Sequence, residues 1–233
     1  MKIKKGGGMM LKLFTAGALL ALLTACGTTQ PSRAPSVVGS GFLHDYSVLK
    51  SDPRDVGFRH YTAPDLRPGQ YRSFIVEDLS VVVNTGQGYQ VLDTARLRDL
   101  SDYYRSQMTA MLQARQYRIV KTAGPGVARL RMAVVGLAQV APQRKAVDRS
   151  PAKMLFNAAR AATDTSPRLL RMSIEGEALD SVSGRVLGAT VDGRESGAKV
   201  AGSSAPPSAD QIHELIDFWV ARLGERLDGI AQR

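Results

Sequence analysis

Glu175 and Glu177 are the closest approach to a catalytic pair in this sequence. Two residues apart on a strand, they share one face at about 7 Å separation. Paired carboxylates at that distance can do acid/base work on a glycosidic bond. Arg129 and Arg131 alternate in the same way on a second strand-like stretch. Cross-strand ion pairs therefore account for all four as a solvent-facing sheet surface, and glycan hydrolysis through Glu175 and Glu177 stands as the lesser alternative. His44-Asp45 places an acid beside an imidazole, an arrangement that can orient the ring, but no nucleophile or second ligand accompanies it. His60 and His213 lie far from it and from each other, without metal-ligand spacing. Thr85-Gly86-Gln87-Gly88-Tyr89 has two glycines but not the third that a dinucleotide-binding loop needs, and reads as a strand-end turn. No Gly-x-Ser-x-Gly, Walker loop or His-Glu-x-x-His occurs. The expectation is a protein that is not an enzyme, with no catalytic residues, no metal and no cofactor.

The residue with the clearest chemistry is Cys26, the single cysteine of the chain. Lys2, Lys4, Lys5 and Lys12 form a basic start, and residues 13–25 are apolar or small. That run is shorter than the roughly 20 residues a bilayer span requires and has the form of an export signal. Leu23-Thr24-Ala25-Cys26 resembles the lipobox of bacterial lipoproteins, in which the thiol is acylated and Cys26 becomes the first mature residue. Met9 and Met10 are alternative starts to Met1. One acyl chain holds a protein only reversibly, whereas two or three make attachment effectively permanent. Gly27, rather than Asp, follows the cysteine; in the enterobacterial sorting pattern this points to the outer membrane, with the domain facing the periplasm.

Removing the four leader lysines from 31 basic residues leaves 27 against 21 acidic ones, so a net charge of +10 becomes +6. Such an excess favours anionic surfaces such as lipid headgroups. The charge is scattered, and an exported protein meets little nucleic acid, so no nucleic-acid partner is expected. The densest basic stretch is residues 142–171, with Arg144, Lys145, Arg149, Lys153, Arg160, Arg168 and Arg171. Within it, residues 151–162 can form a short helix that presents Met154, Leu155 and Phe156 beside cations. This is the candidate interaction patch for anionic lipid or an envelope protein; otherwise it is a solvated excursion between two strands.

The elements that must position these residues follow from periodicity. Residues 1–25 are the signal, 26–41 a Gly/Ser/Thr/Pro-rich tether, and 42–233 one periplasmic globular domain. Residues 42–70 carry many turn formers and read as irregular. Residues 71–83 predict a long or broken strand. A cap at Asp93 or Thr94 opens a helix to about Ala114, with Leu97, Leu100, Tyr104, Met108, Met111 and Leu112 on one stripe. Residues 117–121, 127–140, 169–180 and 185–191 predict strands, the middle two with clear period-two alternation. In the first of these two, Leu130, Met132, Val134, Ala138 and Val140 face one way. Asp180 to Gly184 forms a hairpin turn, and residues 193–207 read as low-complexity and mobile. Ser208 with Gln211 has the form of a capping box for a last helix to about Leu227. The expected class is α+β in two layers, a mainly antiparallel sheet of four to five strands with two helices on one face.

In order, these pieces resemble a family of bacterial lipoproteins known only as a domain of unknown function. The matching segments are the lipobox, Ser40-Gly41-Phe42-Leu43-His44-Asp45-Tyr46-Ser47, and Pro125-Gly126-Val127-Ala128-Arg129-Leu130-Arg131. They continue with Leu179-Asp180-Ser181-Val182-Ser183-Gly184-Arg185-Val186-Leu187 and the terminal Phe218-Trp219-Val220-Ala221-Arg222-Leu223. The resemblance implies a lipid-anchored envelope domain and transfers no active site. The leading expectation is a non-enzymatic binding or scaffolding module of the outer membrane. An accessory subunit of an envelope transport or secretion assembly is the alternative.

Overall fold

The computed structural model describes residues 32–33, 39–82, 93–142, 151–202 and 206–232. Its first half runs β1 (Ser32–Arg33), β2 (Lys50–Asp52), β3 (Asp55–Thr62), β4 (Ser73–Val76), β5 (Ser80–Val81) and α1 (Thr94–Ala114). Its second half runs β6 (Arg118–Ile119), β7 (Val127–Val140), α2 (Pro151–Ala162), β8 (Pro167–Asp180), β9 (Val186–Ala201) and α3 (Ala209–Ala231). All nine strands join one sheet in the order β2-β3-β9-β8-β7-β4-β6, with β1 added to β9 and β5 to β7.

The long strands β7, β8 and β9 pair antiparallel, and β7 and β8 fall where alternation predicts them. β4 and β5 run parallel to β7, and β4 parallel to β6. Between β4 and β6 the chain crosses over through α1, the kind of connection that parallel neighbours require. One face of the sheet, carrying Phe74, Leu130, Met132, Leu170, Met172 and Ile174, packs under α1 and α3. α1 buries Leu100, Tyr104, Met108, Met111 and Leu112 from the predicted stripe and is capped by Asp93, whose side chain accepts the Arg96 N–H. α3 opens with both bonds of the capping box between Ser208 and Gln211. At the far ends of the two helices, Arg115 reaches Asp228 through two bonds of 2.9 and 2.8 Å. The guanidinium lies where a Cβ on Gly224 would sit, 2.6 Å from it.

Four expectations are corrected. Among the described residues the sheet has nine strands and there are three helices, more than the four to five strands and two helices read from periodicity. Residues 42–70 are not irregular throughout: β2 and β3 form an edge hairpin whose turn is held by Asp52 accepting the Arg54 N–H at 2.8 Å. Residues 193–201 are strand, because β9 continues beside β8 to Ala201. Their Gly, Ser and charged residues hide a strand that cross-strand partners impose. A bulge between Val134 and Gly136 also shifts the phase of β7, so Leu137 is buried in the core in place of Ala138.

The β8–β9 turn gives a pH prediction. Asp180 accepts the N–H groups of Ser183 at 2.8 Å and Val182 at 3.1 Å, and the hydroxyl of Tyr71 at 2.8 Å. The Ser183 N–H, with the Tyr71 hydroxyl next in weight, lowers the carboxyl from 3.8 to about 2. A lowered folded-state value contributes stability that is present above the ordinary carboxyl range and lost as pH falls through the folded value. The advantage of the natural chain over Asp180→Asn is therefore expected to hold steady above about pH 5 and shrink between about pH 4 and 2. Urea unfolding of both chains across that range checks it, and a difference independent of pH would sink it.

Candidate functional site

Glu175 and Glu177 sit side by side on β8, on the sheet face opposite the helices, and both are buried, at 0% and 4% exposure. What covers them is the opening segment, residues 40–46. The Ser40 N–H donates to Glu175 Oε1 at 3.2 Å, and the Ser40 hydroxyl to Oε2 at 2.7 Å; the Tyr46 hydroxyl donates to the same Oε2. The His44 N–H donates to Glu177 Oε1 at 2.6 Å, and His44 Nδ1 lies 2.8 Å from Oε2. Tyr46 in turn accepts the Gly41 and Leu43 N–H groups. Leu43 then seals a second small core with Ala189 and Val191. Two buried carboxylates thus clasp one short segment through its backbone and side chains.

This overturns the reading of a solvent-facing sheet surface. Arg131 does stand directly opposite Glu177, with Nε 3.8 Å from Oε2, but it also donates to the Phe42 carbonyl at 2.9 Å and stacks 4.3 Å over the Phe42 ring. Arg129 stands opposite Leu179 and pairs with Glu77 at 2.7 Å. Alternation reports which residues share a face; the cover comes from about 130 positions away in the chain. Contacts also begin within the expected tether, since Ser40 and Gly41 belong to the clasp and β1 pairs Ser32 with Glu195.

The chemistry of the clasp is positional. Asp45 does not orient the His44 ring; it accepts the Ser47 N–H at 2.7 Å, and Glu177 holds the imidazole. The His44 side chain is 51% exposed, and among the described residues no hydrogen bond reaches its Nε2. His60 stacks on Phe58 at 5.0 Å. Burial and the nearby Arg226 lower its pKa from the usual imidazole value. His213 lies flat on Tyr103 of α1 at 3.6 Å, while Tyr103 donates to Asp217. Its neighbour Glu214 accepts the N–H groups of Gly197 and Ala198. No group of three His, Cys, Asp or Glu side chains that could hold a metal ion occurs among the described residues.

The candidate interaction patch is in part visible. Arg144, Lys145 and Arg149 lie outside the described residues, as do Leu23, Thr24, Ala25, Cys26 and the two-glycine stretch at 85–89. Lys153 and Arg160 are on α2, which buries none of its residues. Met154, Leu155 and Phe156 are exposed at 55%, 76% and 59%. Arg160 donates twice to the Thr165 carbonyl, which closes the C-terminal turn, and its guanidinium lies 5.6 Å from the Phe156 ring centre. α2 leaves the sheet between β7 and β8, at the end where β8 begins and β9 finishes. β1 enters beside β9 at Glu195 and Arg194 and runs antiparallel to it, so the chain arrives from that same end.

Sequence reasoning missed one cluster altogether. Asp192 and Arg194 on β9 are buried and meet Trp219 and Arg222 of α3 and Asp55 of β3. Their spacing of two was a strand signal, but charged residues between glycines carry no apolar alternation to mark them as interior.

The chain belongs to the family described as Protein of unknown function (DUF3313), which matches residues 39–223. It matches no curated protein. Among solved structures it is similar to the PelC dodecamer from Paraburkholderia phytofirmans, at 12% identity over 73% of this chain and 95% of that one, with a TM-score of 0.37. It is also similar to a minor lipoprotein from Acinetobacter baumannii, at 10% identity over 70% and 94%, TM-score 0.33. Lipoprotein GNA1162 from Neisseria meningitidis matches at 11% identity over 66% and 98%, TM-score 0.30. No helix among the described residues is long and apolar enough to cross a membrane.

Proposed function

We propose that this protein is a lipid-anchored envelope module, non-enzymatic, that binds or scaffolds at an anionic membrane surface through the α2 end of its sheet. One observation carries the reading: the exposed apolar residues of α2 and the entering chain lie at the same end of the sheet. Cys26 is six residues before Ser32, and six extended residues reach at most about 20 Å. An acyl anchor on Cys26 would hold that end close to the bilayer. Met154, Leu155 and Phe156 supply the apolar area and Lys153 and Arg160 the charge that an interfacial helix uses on anionic lipid. An outer-membrane address follows from Gly27, with the domain facing the periplasm.

The test has two arms. Cys26→Ser is expected to leave an unprocessed precursor without acyl chains, read by mass spectrometry of the membrane extract. Mature protein at the same membrane in that variant would remove the anchor. For the docking end, the acyl-free chain from residue 27 is expected to sediment with vesicles containing a third phosphatidylglycerol and not with pure phosphatidylcholine. Phe156→Asp is expected to weaken that binding at least tenfold without changing the melting curve. Equal binding to both vesicles, or no effect of Phe156→Asp, would assign α2 to another role.

A further inference from the structure

A cavity of about 170 Å³ lies between the helix-covered sheet face and α3. Met132, Ile174 and Ala178 form its floor, and Trp219 and Leu223 of α3 its wall. Its volume slightly exceeds that of an apolar cavity, about 150 Å³, known to accept benzene. Two features distinguish it from a packing void. Tyr104, fully buried on α1, lines it, and the Tyr104 hydroxyl has no hydrogen-bond partner. A buried hydroxyl without a partner is costly, and a ligand oxygen would supply one. Cations also stand at its edge. The exposed residues of the lining, Arg67, Gly69 and Ala231, mark the opening, and Arg226 lies beside it, bonded to the Thr62 hydroxyl at 2.8 Å. The nearest acid on that loop, Asp65, is held by Arg185 at 2.8 Å.

We infer that this cavity binds a single-chain amphiphile: an oxygen-bearing acyl chain against Tyr104 and Trp219, with an anionic head on Arg67 and Arg226. The interior has room for about six or seven carbon atoms on the benzene comparison, with the rest of a longer chain lying toward the opening. Apolar walls with a few convergent polar groups are the ordinary composition of a small-molecule site. The head is a carboxylate or a phosphate, two anions that a guanidinium recognises through the same forked geometry. This site shares no residue with the docking end on α2 or with Cys26, so either reading can fail alone.

Trp219 is the single tryptophan and lines the cavity, so its fluorescence reports occupancy directly. The acyl-free chain from residue 27 contains every strand and helix described. Titrated below the micelle limit with decanoate, 3-hydroxydecanoate, 10-hydroxydecanoate, decyl phosphate and 1-decanol, it is expected to give saturable changes with the anionic probes. The uncharged alcohol should bind at least tenfold more weakly. One of the hydroxylated acids should bind at least fivefold tighter than decanoate, and Tyr104→Phe should remove that advantage. Arg67→Glu, at an exposed position, should weaken every anionic probe at least tenfold with the melting curve unchanged, and Ala178→Phe should abolish binding by filling the floor. The ranking of decanoate against decyl phosphate tells a free acid from a phospholipid head. No saturable change, equal binding of decanol and decanoate, or hydroxylated probes no tighter than decanoate would each overturn the assignment. Binding unaltered by Arg67→Glu would do the same, even if Ala178→Phe fails to fold.

Discussion

Asp192→Ala is expected to lower the unfolding free energy by about 3–5 kcal/mol, the range for removing one partner of a buried ion pair. Asp192 is completely buried and accepts from Arg194 Nε at 2.9 Å, Trp219 Nε1 at 2.9 Å and the Gly193 N–H at 3.0 Å. Its loss leaves the Trp219 N–H unpaired and removes one of the two carboxylates that hold the Arg194 guanidinium, the other being Asp55. Arg222 competes for that same Asp55 oxygen at 3.1 Å, and both guanidiniums stack on aromatic rings, Arg194 on Phe218 and Arg222 on Phe58. The cluster therefore joins β3, β9 and α3, and a break in it is felt in all three.

Burial is the largest influence on the Asp192 carboxyl and lifts it above its ordinary range, despite the donors around it. Burial therefore works against the charged carboxyl, and the cost expected of Asp192→Ala comes mainly from the partners left behind. The double variant Asp192→Leu, Arg194→Met is expected to recover much of the loss. Urea unfolding with an unchanged denaturant slope checks both, since an unchanged slope assigns the shift to stability. A single-variant loss below about 1 kcal/mol would mean that water replaces the carboxylate without penalty.

Glu175→Ala is expected to release the opening segment while the sheet beneath it stays folded. Glu175 accepts three hydrogen bonds from Ser40 and Tyr46. Bonds to a charged group contribute about 1.5–3 kcal/mol each. Without them the segment keeps the two Glu177 bonds to His44, the Leu43 packing and the Phe42–Arg131 contacts, so the loss falls on local opening of this short segment and not on the sheet. The readout is backbone hydrogen exchange: amides of residues 41–46 should lose protection by at least a hundredfold, while β7 and β8 amides keep theirs. Tyr46→Phe, which removes one of the three donors and the acceptor for the Gly41 and Leu43 N–H groups, should show an intermediate loss. Loss of protection across the whole sheet would show that the clasp supports the core and is not a local fastening.

How much was legible in the sequence varies with the range of the interactions. α1 and α3 and the strands β7 and β8 were readable because each carries its own signal, a stripe at helical spacing or alternation at period two, and a cap within three residues of its start. The broken strand at residues 71–83 showed through β-branched residues, although its parallel pairing to β7 did not. β9 beyond Val191 was hidden, since Gly193, Ser196 and Gly197 carry no strand preference and Asp192 and Arg194 replace apolar residues on its inner side. The β2–β3 hairpin was hidden among turn formers because what fixes it is the pairing of β3 with β9, about 130 positions away, which leaves no mark on the local sequence.

The candidate site divides along the same line. By itself the sequence determined two amphipathic helices, alternating strands and a basic stretch with an apolar core at 154–156, and it placed a solitary cysteine after a basic and then apolar start, all patterns written within about twenty consecutive residues. Tertiary structure decided that Glu175 and Glu177 are buried under Ser40, His44 and Tyr46, that Asp192 pairs inside the fold, and that Tyr104 faces a cavity. Each of these depends on groups brought together from distant parts of the chain. Whether a carboxylate is a solvated surface charge or a buried fastening is set by the dielectric and the donors around it, and neither is encoded in the residue or its sequence neighbours.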